Sequence, residues 1–143
     1  MRLRRLIPIG CIVAVLVVVG LALWDLRPIE DVAEGVANDG RFPEGANDIN
    51  YNISTVAWFG WENSSFNISE DDFIAHARER EWDLQPIEEP TEFSLGLDPG
   101  GDLKIEEISD GLVYRTPVAD NGGFFLAVYD RSAGRATIKM SKN

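Results

Sequence analysis

His76 is the one histidine of the chain, and Asp72 stands four residues before it. On a helix that spacing puts the two on one flank, and an imidazole beside a carboxylate is half of an acid–base site. The other half is a nucleophile, and no serine or cysteine stands at a spacing that completes the set. What remains is a surface histidine partly paired with a carboxylate. Carboxylates also occur as neighbours, at Asp71/Asp72, Glu88/Glu89 and Glu106/Glu107. Two carboxylates can cleave a glycosidic bond, but at separations set by distant parts of a fold. Neighbours along a strand point to opposite faces, so adjacency is no signature of that chemistry. Asp98-Pro99-Gly100-Gly101-Asp102 suggests a calcium loop but lacks the alternating ligands and the closing glutamate, and reads as a tight turn. Gly100-Gly101 and Gly122-Gly123 precede no helix start, which makes them turn glycines rather than phosphate cradles. Asn52-Ile53-Ser54, Asn63-Ser64-Ser65 and Asn67-Ile68-Ser69 match the N-glycosylation pattern, a glycan-covered face in a eukaryotic secreted chain and coincidence in a bacterial one. These patterns assign no catalytic, cofactor-binding or metal-ligating residue.

Aromatic residues offer a different chemistry, stacking. Ile49, Tyr51, Ile53, Ala57, Phe59 and Trp61 occupy odd positions and Asn50, Asn52 and Ser54 even ones. This is the period of a long strand, or of two joined by a bend near Gly60, with the odd positions facing a core. Trp58 then points the other way, beside Val56 and near Asn52 and Ser54. The run Gly123–Tyr129 is apolar on both faces, and one helix covers only one side of a sheet. Trp58, Phe125 and Tyr129 are therefore the candidates for an exposed platform that stacks on a sugar or a peptide. In the competing reading Ile29, Val32 and Val36 cover them, or a bend turns Trp58 inward.

These side chains need elements to hold them. Ile68-Ser69-Glu70-Asp71-Asp72-Phe73 reads as a helix start, with Ser69 as N-cap, Asp72 returning a hydrogen bond, and Ile68 and Phe73 at the two positions of a hydrophobic staple. The helix should run to about Trp82 and bury Phe73, Ile74 and Ala77. Beyond Pro86 and Pro90, short alternating runs are separated by Asp98-Pro99-Gly100-Gly101, Asp110-Gly111, Asn121-Gly122 and the loop Asp130–Gly134. Asp-Gly and Asn-Gly between apolar runs are strong hairpin signals. The fold class that follows is α+β, a twisted antiparallel β-meander with one helix packed on one face.

Ahead of this domain, placed at 47–143, lies a different kind of sequence. Residues 1–5 contain Arg2, Arg4 and Arg5, and Leu6 to Trp24 carries no charge. At ~1.5 Å per residue that run spans roughly 28 Å, close to the hydrocarbon thickness of a bilayer. The expectation is a single N-terminal transmembrane helix over 6–24, a signal-anchor with its arginines in the cytoplasm and its C-terminal domain periplasmic or extracellular. A cleaved signal peptide with Gly20 and Ala22 before the cut is the rival reading; Cys11 reads as an apolar residue rather than a lipidation site. Residues 25–46 then form a stalk, with a short helix over 28–38 suggested by Ile29, Val32, Ala33 and Val36 after Pro28. All 24 acidic residues lie from Asp25 onward. A surface of that sign repels phosphate backbones, so nucleic acid is excluded as a natural partner. With Cys11 the lone cysteine, no disulfide staples the domain.

Phe66-Asn67-Ile68-Ser69-Glu70-Asp71-Asp72-Phe73, together with Gly122-Gly123 and Tyr129-Asp130-Arg131-Ser132-Ala133-Gly134-Arg135-Ala136, resembles small exported bacterial proteins of uncharacterised function. Their similar pattern is an F-x-I-S-E-x-D-F helix start and a Y-D-R-x-x-G-R-A hairpin after an N-terminal anchor, and it covers about residues 44–140. The resemblance implies export and compact folding, and brings no activity with it. The expected role is a membrane-tethered extracytoplasmic interaction or structural module, with a protein or glycan partner at the cell surface and no cofactor. A small cell-envelope enzyme, or an accessory subunit of a membrane complex, is the alternative.

Overall fold

The computed structural model describes residues 13–20, 28–56, 59–97, 103–117 and 122–142. Residues 13–20 are helical (α1) and carry exposed Val13, Leu16 and Val18. The strands and the second helix follow as β1 Ile29–Val36, β2 Asn47–Val56, β3 Phe59–Asn67, α2 Glu70–Glu79, β4 Gln85–Ile87, β5 Thr91–Leu97, β6 Leu103–Ile108, β7 Gly111–Arg115, β8 Phe124–Asp130 and β9 Arg135–Lys142. All strand pairs are antiparallel, seven strands in the order β1-β2-β3-β9-β8-β7-β4 and two, β5-β6, as a separate hairpin.

This corrects the expected fold class in three respects. The domain is mostly antiparallel sheet, and it is no meander. The terminal strand β9 inserts between β3 and β8, and α2 carries the chain from β3 towards the far edge. Asp110-Gly111 does not join a hairpin. It is the step from the β5-β6 layer into the main sheet, and a Cβ at Gly111 would collide with the carbonyl oxygen of Tyr129. Secondly, the expected helix over 28–38 is strand β1, paired with β2 from Ile29↔Thr55 to Val36↔Ile49. Two β-branched valines and Gly35 at φ 63° disfavour a helix there, and a bulge between Ala33 and Val36 absorbs the spacing that reads as helical. Thirdly, among the described residues no helix is long and apolar enough to cross a membrane. Residues 6–12 and 21–24 of the expected transmembrane helix lie outside the described residues.

The main sheet is covered on both faces. On the first, α2 lies over Ile49, Phe66, Ala127, Tyr129 and Ala136, with Ile68 and Phe73 closing the core. Phe73 stacks on Tyr129 with ring centroids 5.3 Å apart, and the Tyr129 hydroxyl donates to the Ile68 carbonyl at 3.2 Å. On the second face the β5-β6 hairpin covers Val128 with Phe93, Leu95 and Ile108, joined by Ile87. The helix starts as expected at Ser69, whose Oγ accepts from the Asp72 N–H. The Asp72 carboxylate bonds the Ser69 hydroxyl at 2.7 Å rather than its backbone. The helix ends at Glu79, short of Trp82. Glu81 takes the left-handed conformation at φ 58°, and the Trp82 N–H reaches back to the Ala77 carbonyl at 2.9 Å, a Schellman closure built on a non-glycine residue.

Candidate functional site

The expected platform does not assemble. Trp58 lies outside the described residues. Tyr129 is 4% exposed, because α2 seats Phe73 on its ring, and a ligand cannot stack there. Phe125 is on the same sheet face as Tyr129 and is half-buried, with Trp82 at 4.9 Å and Tyr114 at 6.0 Å. The cover is thus the segment just past α2, not the residues of β1. His76 meets Trp82 edge-on at 5.4 Å in the same cluster. Burial, assisted by Arg80, pushes its imidazole below the ordinary value of 6.5. No hydrogen bond joins it to Asp72 among the described residues, because Asp72 caps the helix. Also among the described residues, no three His, Cys, Asp or Glu side chains converge as metal ligands.

A different surface comes together on the second face. Val56 pairs with Phe59, Ser54 with Trp61 and Asn52 with Asn63. Directly paired residues share a face, so the reversal of the chain between Val56 and Phe59 inverts the odd–even phase. Phe59 and Trp61 therefore leave the face of Ile49, Tyr51 and Ile53 and join that of Asn52 and Ser54. They are 51% and 37% exposed. The missed signal is one of phase: two residues between apolar runs form a hairpin loop as readily as a strand continues through them.

The β5-β6 hairpin covers the β7-β8 half of this face and reaches β9 and β3 through Ser94 and Leu95, and a groove of about 450 Å³ stays open over β1, β2 and the adjoining part of β3. Val32, Glu34, Asn50, Asn52, Asn63, Ser65, Leu95 and Lys104 line it. A second groove of about 240 Å³ runs between Trp61 and Phe124 with Lys139 and Ser141, and a third of about 160 Å³ lies between Trp61, Phe59 and Ser54. Trp61 walls the last two, and Asn63 lines the first two.

The polar side chains here have unequal freedom. Asn50 Oδ1 accepts from the Gly35 N–H at 2.8 Å and holds the bulge of β1. Asn63 Nδ2 donates to the Leu95 carbonyl at 2.9 Å and pins the hairpin to the sheet, while its buried Oδ1 has no partner among the described residues. Gly96, at φ 129°, permits this close approach, since a Cβ there would collide with the Asn63 amide. The amide of Asn52 makes no hydrogen bond among the described residues. Lys139 donates to the Ser94 hydroxyl at 3.2 Å and lies over the Phe124 ring. The surface can bind and orient a ligand through an indole face, side-chain amides and one ammonium. The chain matches no family model, no curated protein and no solved structure.

Proposed function

We propose that the chain is an extracytoplasmic interaction module, associated with a membrane through its apolar N-terminal run, whose partner docks on the open part of the second sheet face. The reading is supported above all by the 450 Å³ groove, which lies in the size range of small-ligand sites and shares Asn63 with the smaller groove walled by the exposed indole of Trp61. Beside the charged Glu34 and Lys104, this face carries amides, hydroxyls and aromatics. The location outside the cytoplasm is supported by Arg2, Arg4 and Arg5 ahead of the uncharged run, and by the resemblance to small exported proteins.

Position-specific photo-cross-linking in intact cells tests this. A photoreactive residue at Val32, exposed on the groove wall, should form an adduct with a partner. The same residue at Ala75, on the outer side of α2, should form none. Equal adducts at the two positions, or none at either, would overturn the assignment of this face.

A further inference from the structure

We infer that this surface takes an uncharged carbohydrate chain, with one sugar ring stacked on Trp61 and a neighbouring hydroxyl bonded by the amide of Asn52. The inference rests on the binding role proposed above and names its ligand class.

Three observations separate a sugar from an extended peptide. First, β2, β3 and β9 are interior strands with continuous pairing on both sides of β3. Their backbone groups are committed to the sheet, so a peptide cannot add as a further strand here. Only side chains offer hydrogen bonds on this face. Secondly, those side chains include amides and hydroxyls, beside the charged Glu34 and Lys104. An amide donates and accepts from one planar group, which matches a sugar hydroxyl that does both. The amide of Asn52 has both functions unused among the described residues, whereas that of Asn63 is committed to the Leu95 carbonyl. Thirdly, Trp61 stands between two grooves, so a chain lying along them passes over its indole. The C–H face of a pyranose packs on such a ring, and the indole edge stays wet.

Charge argues against an anionic ligand. The chain carries a net −11, which disfavours anionic polymers at long range. Of the two lysines at the grooves, Lys104 is paired with Glu106 at 2.5 Å. Lys139 is turned to the Ser94 hydroxyl and the Phe124 ring. Neither presents a free cationic cluster that would select a carboxylate or a sulfate.

Titration calorimetry on the full chain tests the inference. The probes are cellohexaose, N-acetylchitohexaose, maltohexaose and a soluble set of extended nonapeptides. Saturable binding of at least one hexaose is expected, weakened about tenfold or more by Trp61→Ala and only partly by Trp61→Phe, which keeps a ring to stack on. Asn52→Ala should weaken it severalfold, and Trp82→Phe, in the other aromatic cluster, should not change it. Unchanged urea midpoints for the variants show that the fold is intact. Nonapeptide binding lost with Trp61→Ala, and no hexaose binding, would overturn the ligand class and leave the docking face standing. Hexaose binding indifferent to Trp61 and Asn52 would overturn the site. No binding of any probe, with no adduct at Val32, would overturn both.

Discussion

At the residue scale, two positions show the backbone setting the terms for side chains. Glu81 holds the left-handed conformation that closes α2, where an L-residue costs ~1–2 kcal/mol. Glycine removes that cost and adds back roughly 0.4–1 kcal/mol of unfolded-chain entropy. Glu81→Gly should therefore stabilise the domain by up to about 1 kcal/mol, read as a higher urea midpoint. Gly111 is the opposite case. Its missing side chain admits the Tyr129 carbonyl, so Gly111→Ala should destabilise by about 1–3 kcal/mol through overpacking against backbone that cannot yield. Neither position was legible as such. The Asp110-Gly111 pair has the chemistry of a hairpin turn, and only the tertiary approach of β8 explains the glycine. Trp61 departs from the face its odd position implies for a related reason, because parity along a chain is meaningful only while the strand continues.

At the scale of elements, local signals were read well. The N-cap at Ser69, the staple of Ile68 and Phe73, and the hairpin over Asp130–Gly134 depend on neighbours in sequence, and each is where residue chemistry puts it. Two segments, residues 66–73 and 129–136, clasp one another. Arg131 on the β8-β9 turn binds Glu70 at 2.7 Å and Asp110 at 2.6 Å. Arg135 donates to Asn67 Oδ1 at 2.7 Å and to Asp48 at 2.8 Å, and the Ile68 N–H donates to the Gly134 carbonyl. The segments thus anchor the helix start to the hairpin. Hydrogen bonds from Arg131 hold the Glu70 carboxyl below its ordinary value of 4.5. A depressed folded pKa contributes stability above the unfolded value, and that stability is lost as pH falls through the folded one. The difference in urea midpoint between the parent and Glu70→Gln should accordingly be constant from neutral pH to about 5 and shrink below about 4. A difference that persists unchanged to pH 3 would mean that Glu70 does not act as a carboxylate there. Ser69→Ala should cost about 0.5–2 kcal/mol at any pH in that range, since it removes a cap rather than a charge.

At the scale of the whole molecule, the order β1-β2-β3-β9-β8-β7-β4 could not be read from the sequence, because it depends on the last strand entering the middle of the sheet. Such a pairing leaves no mark in periodicity or turn chemistry. The boundary of the folded unit is the other whole-molecule feature, and it makes a sharp prediction. The chain between Asp25 and Ala46 reads as a stalk, dispensable to the domain. In the fold, β1 runs along β2 for most of its length, and the segment after it fills the first-face core. Phe42 packs on Tyr51 and Phe66 with centroids 5.9 and 5.8 Å away, and Ala46 is buried. Arg41 lies over the Tyr51 ring and donates to its hydroxyl at 2.9 Å. A chain beginning at residue 44 would keep Ala46 but lose β1 and the contacts of Arg41 and Phe42, and would turn β2 into an edge strand. β1 carries three acidic residues, Glu30, Asp31 and Glu34, which guard an edge against pairing with other chains; β2 offers only Asp48. Residues 28–143 should therefore stay monodisperse on size exclusion and unfold cooperatively in urea. Residues 44–143 should show a much lower midpoint and concentration-dependent association. Equal midpoints and equal elution would show that β1 is an accessory strand and that the fold is complete without it. The groove lined by Val32 and Glu34 would then lose one wall without consequence for stability, and any loss of ligand binding in the shorter chain could be assigned to that wall alone.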